Sequence, residues 1–290
     1  MLVVEDLRVS FGGVTALAGV SFTVPPGTIT SLIGPNGAGK TTAFNAITGY
    51  LRPSQGHVTW ESERLGGRPS DIARRGVVRT FQKTSVFPGL TVFDNVRTGL
   101  HLRSRAGLWS VLAGMRRVRR EEARLAETAR EVIAFVGLEH RRDEVAGELP
   151  YGEQRLVELA VALAARPRIL LLDEPAAGMT GAEKDRLITM IRRIRQAEVT
   201  VLLVEHDMKL VMGISDTVIV LNHGRVIAAG AVGTEETDQL ALGHLEVQAA
   251  QRFDRAVAGP QPLKPEHWTS RGRRESRPGA PGSWSGRRRR

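Results

Sequence analysis

A chain of 290 residues holds one large domain or two modest ones with a substantial core, and 41% hydrophobic with 25% charged residues is ordinary globular composition. The absence of cysteine excludes disulfides and thiolate metal sites and suits a cytosolic setting, and the lack of any apolar run of about 18 residues excludes a membrane-spanning helix. A net charge of +10 would suggest a nucleic-acid partner, but residues 251–290 carry 11 basic and 3 acidic residues, a net +8, which leaves the body of the chain at only +2.

The start, Met1–Asp6, lacks a basic region and carries two acids early, so it does not read as a signal peptide. Residues 1–33 read as short strands with turn punctuation, an antiparallel β layer. Leu2–Val4 and Leu7–Phe11 precede Gly12-Gly13, then come Val14–Leu17, Val20–Val24 and the turn Pro25-Pro26-Gly27.

Thr28–Ile33 is a strand that runs into Gly34-Pro35-Asn36-Gly37-Ala38-Gly39-Lys40-Thr41-Thr42, and Thr42–Ile47 then starts a helix. Gly, four residues, Gly-Lys and a hydroxyl residue between a strand and a helix make a phosphate loop. Glycines let backbone N–H groups converge on a polyphosphate, and the helix N-terminus adds its positive dipole end. Lys40 would reach the β- and γ-phosphates and the Thr41 hydroxyl would ligate Mg²⁺. The chain is therefore expected to bind a nucleotide. Phe11, just before Gly12-Gly13, either stacks on an adenine ring or belongs to the sheet core, and pattern alone favours the core.

The helix continues over Ala43–Tyr50, with Arg52-Pro53 and Gly56 marking its end. His57–Trp60 reads as a strand, Asp71–Arg75 as a short helix, and Val77–Phe81 as a strand ending in Gln82, by itself a polar boundary residue. From Phe87 to about Leu163 the texture is helical. Leu108–Arg124 alternates apolar and Arg-rich stretches, as a solvated helix face does, and the periodicity of Glu122–Val136 stops at Gly137. Leu149–Gln154 is a loop feeding the N-terminus of a helix over Arg155–Leu163, with a buried stripe predicted at Leu156, Leu159, Ala160 and Leu163. Such a terminus can bind an anion.

Ile169–Leu172 is a continuous apolar run, as in a strand buried on both faces of a parallel sheet. It ends in Asp173-Glu174-Pro175, a costly place for carboxylates unless they hold a metal or do chemistry. Beside a phosphate loop, Asp173 is the expected Mg²⁺-side carboxylate and Glu174 the group that polarises an attacking water. Glu183–Gln196 is an amphipathic helix, and Thr200–Val204 a buried strand ending in Glu205-His206-Asp207. A lone His is more often structural, but strands ending at Ile33, Asp173 and His206 would point at one crevice. Asp216–Leu221 and Arg225–Ala229 form a hairpin around Asn222-His223-Gly224. A last helix is expected over Glu235–Gln251, and from Ala258 the Pro, Gly, Ser and Arg bias reads as disorder.

Together these residues resemble the ATP-binding subunit of an ABC (ATP-binding cassette) transporter over roughly residues 1–235. Gly34–Thr42 is similar to its Walker A motif, Ile169–Glu174 to Walker B, Gln82 to the Q-loop, Leu149–Gln154 to the signature motif, Ala176–Thr180 to the D-loop and His206 to the switch histidine. A narrower resemblance is to the branch that imports branched-chain amino acids, with relatives for urea and short amides. It is carried by Arg79–Gln82, Leu90–Val96, Tyr151–Gln154, the insert around 101–122, Asp173–Gly178 and Glu205–Asp216.

The resemblance implies an α/β fold, a P-loop NTPase core with a mostly parallel sheet, an N-terminal antiparallel β layer and an inserted helical subdomain. Residues 1–86 and 164–235 would form the core, 87–163 the helical subdomain, and 236–290 an extension. It implies ATP and Mg²⁺ as ligands, with Phe11 stacked on adenine and Gly34–Thr42 around the phosphates. Thr41, Gln82 and Asp173 would serve the metal, Glu174 would act as general base, and His206 would contact the γ-phosphate. Tyr151, Gly152 and Glu153 would meet nucleotide bound to a second subunit, so a homodimer or heterodimer is implied. Integral permease subunits would place the chain on the cytoplasmic side of the membrane, near a periplasmic-type solute-binding protein, with no nucleic acid expected.

Two positions depart from the family pattern. Pro150 stands at the signature serine and supplies neither hydroxyl nor N–H, and Thr180 stands at the D-loop aspartate. The rival reading is a non-transport nucleotide-dependent binding module that uses its basic tail on nucleic acid. A single cassette weighs against it, because soluble cassette proteins usually carry two.

Overall fold

The computed structural model describes residues 1–80, 86–100 and 115–233. Gln82, residues 108–114 of Leu108–Arg124 and everything expected after Gly233 lie outside the described residues.

Two sheets frame the molecule. Strands β1 (Leu2–Phe11), β2 (Val14–Val24), β4 (Gln55–Trp60) and β5 (Glu63–Arg64) form an antiparallel layer in the order β2-β1-β4-β5. The sequence pattern divides β1 at Glu5-Asp6, whereas the strand runs through. Asp6 takes a left-handed φ of 43°, and the ladder shifts register between Val4 and Leu7. The break in alternation marks a bulge within one strand.

The second sheet runs β10-β9-β3-β8-β7-β6. In β3 (Ile29–Ile33), β7 (Ile169–Asp173) and β8 (Thr200–Val204) every residue is buried. That is why Ile169–Leu172 and Val201–Val204 read as unbroken apolar runs rather than alternating ones, while β3 buries Thr30 and Ser31 among its apolar residues. The flanking strands β6 (Val77–Arg79) and β9 (Thr217–Asn222) are also parallel, and β10 (Arg225–Ala231) turns back antiparallel. The turn between β9 and β10 has positive φ at His223 (45°) and Gly224 (71°), the type I′ geometry that matches strand twist.

Helix α1 (Lys40–Ile47) lies under the β layer, and Phe44 and Ile47 share a core with Leu2, Leu17, Leu32 and Leu171. It stops short of the expected Tyr50, because the Thr48 hydroxyl closes on the Phe44 carbonyl at 2.6 Å and Gly49 turns the chain away. After α2 (Pro69–Arg74), the helices α3 (Val92–Leu100), α4 (Met115–Phe135) and α5 (Tyr151–Ala164) pack together through Val92, Val96, Ala129, Ile133, Val157 and Ala160. The buried face of α5 is rotated from the predicted stripe. Leu156 and Leu163 are half-buried, whereas Val157, Ala164 and the ion-paired Arg155 and Glu158 are buried. Pairing two charges at i, i+3 let them enter a face that hydropathy alone would have denied them.

The remaining helices are α6 (Gly181–Gln196) and α7 (Met208–Ile214). Register pairs Ile29 with Val201, and Asp173 with Val204, so the carboxyl ends of β3, β7 and β8 lie side by side. The expected α/β architecture, a mostly parallel sheet beside an antiparallel layer, is the one found.

Candidate functional site

The phosphate loop leaves β3 and enters α1 through Gly39, whose φ of 104° puts it in the left-handed region. A Cβ there would lie 2.6 Å from the Ala16 carbonyl, so only glycine lets the loop pass this close to β2. The loop is stitched to the hairpin as well. Gly224 donates to the Ala38 carbonyl at 2.9 Å and accepts from the Ala18 N–H at 2.8 Å. Gly34, Pro35 and Ala38 are buried, Gly39 is half-buried, and Asn36 and Gly37 are exposed at the crest.

Lys40 folds beneath this backbone and donates to the carbonyls of Gly34 at 2.7 Å and Pro35 at 3.0 Å. Burial pushes its ammonium below the usual lysine range, and the carboxylates of Glu174 and Asp173 pull it partly back. Thr41 is exposed on the first turn of α1 and Thr42 half-buried beside it. Phe11 is 52% exposed at the end of β1. The core assignment that pattern favoured is thus corrected: Phe11 faces outward at the strand's last position.

Asp173 ends β7, with its side chain 1% exposed. One oxygen, Oδ2, accepts from Arg79 at 2.6 Å, while the buried Oδ1 receives no hydrogen bond among the described residues. Glu174 follows with a φ of 48°, a left-handed conformation that costs a side-chain-bearing residue on the order of 1–3 kcal/mol. Its N–H donates to the Val204 carbonyl at 2.9 Å, which fixes the bend, and its Oε1 lies 2.8 Å from His206 Nε2. The pair is partly exposed, at 22% and 26%. Lys40, Asp173, Glu174 and His206 are therefore brought together at the head of the sheet.

Among the described residues no group of three His, Cys, Asp or Glu side chains could cage a metal ion. The donor set is instead one buried carboxylate oxygen in want of a partner and a hydroxyl at Thr41. That suits Mg²⁺, which is commonly bound by one or two carboxylates together with substrate phosphates.

The segment resembling a signature motif enters α5 with Pro150 as N-cap, which has no side chain able to cap. The Gly152 N–H is bonded to Glu183 Oε1 at 3.1 Å. A Cβ at Gly152 would meet that oxygen at 2.4 Å, so glycine is needed for the approach. Glu183 in turn accepts at Oε2 from the N–H and the hydroxyl of Thr180, both at 2.8 Å. The Thr180 donors and then Gly152 hold its carboxyl below the usual range. Tyr151 donates to the Ala177 carbonyl at 3.0 Å and accepts from Arg155, and Glu153 pairs with Arg141 at 3.2 Å. Tyr151–Glu153 thus engage residues 177–183 and Arg141, away from the Lys40 cluster.

Sequence reasoning passed over two acids. Glu205 is 4% exposed and accepts from the N–H groups of Ala176 (2.8 Å) and His206 (3.0 Å). Burial raises its carboxyl, and those backbone donors oppose the rise. It fixes the bend that carries His206, and its signal was the one used for Asp173: an acid ending an apolar strand. Glu183 gave no such signal, because its partners Gly152 and Thr180 meet only in the fold.

The sequence model of the ABC transporter family matches residues 17–177. A high-affinity branched-chain amino acid transport ATP-binding protein of Pseudomonas aeruginosa, BraF, is 43% identical over 232 residues, which cover 79% of this chain and 91% of BraF. LivG of Escherichia coli K12, of the same description, is 42% identical over the same length and shares. Among solved structures, a nucleotide-free ATP-binding cassette from an ABC transporter superposes with a TM-score of 0.73 at 32% identity, covering 85% of this chain and 96% of that one. An ADP-bound cassette gives 0.71 at 29% identity, with 90% and 99% covered. The chain belongs to the ABC transporter family and is an ABC ATPase.

Proposed function

We propose that this chain is the ATP-hydrolysing subunit of an importer for branched-chain amino acids or a related small solute. The observation that carries the reading is the Glu174–His206 pair at 2.8 Å, beside a buried lysine under the phosphate loop and an Asp173 oxygen with no hydrogen bond among the described residues. The relatives BraF and LivG, similar over most of their length, add the solute class.

In this mechanism the loop amides of Gly34–Thr42 and the Lys40 ammonium hold the phosphates, and exposed Phe11 offers its ring to the adenine. Thr41 and Asp173 Oδ1 would hold Mg²⁺, which when bound neutralises charge developing on the phosphates. Glu174 takes the proton of the attacking water, and His206 orients Glu174 and meets the γ-phosphate. Gln82, outside the described residues, would join the metal side. Tyr151, Gly152 and Glu153 would face the nucleotide of a second subunit, identical or related. The helical region near Val86–Val96 would receive a cytoplasmic helix of the membrane permeases, which supply the membrane attachment. Among the described residues no helix is long and apolar enough to cross a membrane.

The test is Glu174→Gln. Loss of a positioned general base is expected to lower turnover by roughly 10²–10⁴, with nucleotide affinity retained. Wild-type turnover would overturn the base assignment. Reconstitution with the cognate permeases should couple ATP turnover to uptake of the solute, and turnover indifferent to permeases would overturn the importer reading.

A further inference from the structure

We propose that Arg79 is a positioning residue of the metal side of the site. It fixes which oxygen of Asp173 is presented to a divalent cation and keeps that carboxylate from capturing Lys40. This rests on the reading of Asp173 as the metal-side carboxylate.

Arg79 is the last residue of β6, opposite Leu171 in the neighbouring strand β7, and its side chain is only 6% exposed. The guanidinium is held at both ends of its fork. Nη2 donates to Asp173 Oδ2 at 2.6 Å, Nη1 donates to Asn45 Oδ1 at 2.6 Å, and the group lies 5.4 Å from the centre of the Phe44 ring. Asn45 and Phe44 belong to α1, the helix that begins at the phosphate loop. Arg79 thus ties the strand carrying Asp173 to the helix carrying Lys40 and Thr41. The planar fork sets a direction that a single ammonium cannot set.

Two consequences follow for Asp173. With Oδ2 engaged, the carboxylate cannot rotate freely, and Oδ1 is the oxygen left over. A buried carboxylate without a partner is costly, and Lys40 is a cation already coupled electrostatically to Asp173. With Arg79 in place, Lys40 instead donates to the Gly34 and Pro35 carbonyls, weak ligands that a phosphate can displace. Groups that orient a metal ligand from behind are typically worth ~10–100-fold in metal affinity.

The experiment measures affinity for a fluorescent ADP analogue in chelator and across a Mg²⁺ titration, alongside thermal melting, for wild type, R79Q, R79K and D173N. R79Q is expected to melt cooperatively and to need about 10–100-fold more Mg²⁺ to reach the metal-dependent gain in affinity, with R79K intermediate. If R79Q does not melt cooperatively, the shift in R79K decides the question. A lowered melting temperature with an unchanged Mg²⁺ midpoint would reduce Arg79 to a structural ion pair and overturn the proposal. D173N separates the two layers. If it keeps the full Mg²⁺ gain, the metal-side reading of Asp173 fails; if it loses the gain while both Arg79 variants keep theirs, only the Arg79 proposal fails.

Discussion

A lysine folded beneath its own loop is a poor host for positive charge until an anion arrives. Burial lowers the Lys40 ammonium, with Glu174 and Asp173 opposing, and bound phosphates would raise it again. Below the free protein's value Lys40 is charged with or without ligand. Between the lowered free value and the raised bound value, binding must take up a proton, so affinity falls as pH rises through that window. Metal-free ADP titrations in buffers of differing ionisation enthalpy should show Lys40-linked proton uptake that is absent below the lowered free value and appears as pH rises into the window. Lys40→Met should abolish it. At this scale much was legible. Lys40, Asp173 and Glu174 sit in short contiguous motifs, because one loop or strand end must supply them together. Arg79 was not singled out from the residues alone, since what makes it notable is a partner 94 positions away, whereas Glu205 ended an apolar strand as Asp173 does and was passed over. Pattern alone misplaced Phe11 in the core because its apolar side chain fits the alternation of β1, and only the end of the strand exposes it.

At the scale of elements, the N-termini of α5 and α6 share one carboxylate. Glu183 caps α6 in a box with Thr180 and also accepts from Gly152 at the start of α5, where Pro150 can give no side-chain cap. The Gly152 amide, two residues beyond Pro150, is thus already engaged by Glu183. Thr180→Ala should lower stability by about 1 kcal/mol in denaturant titrations. Glu183→Ala should cost more, because both helix starts lose a partner. The folded carboxyl is held below its usual value, chiefly by Thr180. Its contribution is therefore present above the unfolded value and lost as pH falls through the folded one, so the deficit of Glu183→Ala should shrink in acid. Periodicity found the helices but missed such sharing, since it reads one element at a time. For the same reason it set the buried stripe of α5 on Leu156, Leu159, Ala160 and Leu163, of which Leu159 and Ala160 are buried, and missed the Arg155–Glu158 pair.

For the molecule as a whole, charge is unevenly allotted: net +2 over residues 1–250 and +8 beyond. Deleting 251–290 should leave ATP turnover unchanged and remove any salt-dependent binding to DNA. The measurement is a fluorescence titration of duplex DNA across salt concentrations with both chains. ATP-dependent DNA binding that survives the deletion would favour the nucleic-acid module over the importer. The sheet order could not be read from the sequence, because parallel pairing joins strands distant along the chain, as Ile29 with Val201 shows. What could be read was that three apolar strands end in chemistry-bearing residues, and parallel neighbours present those ends together.

The stitching of Ala38 and Ala18 to Gly224 also bears on biosynthesis. A ribosome completes the phosphate-loop codons early, yet the residue that pins the loop, Gly224, emerges only much later in the chain. A nascent chain stopped before the β9–β10 turn carries the entire nucleotide motif without its backbone anchorage. Competence to bind nucleotide is therefore expected to arrive late in translation, with the hairpin, rather than when the motif itself leaves the exit tunnel.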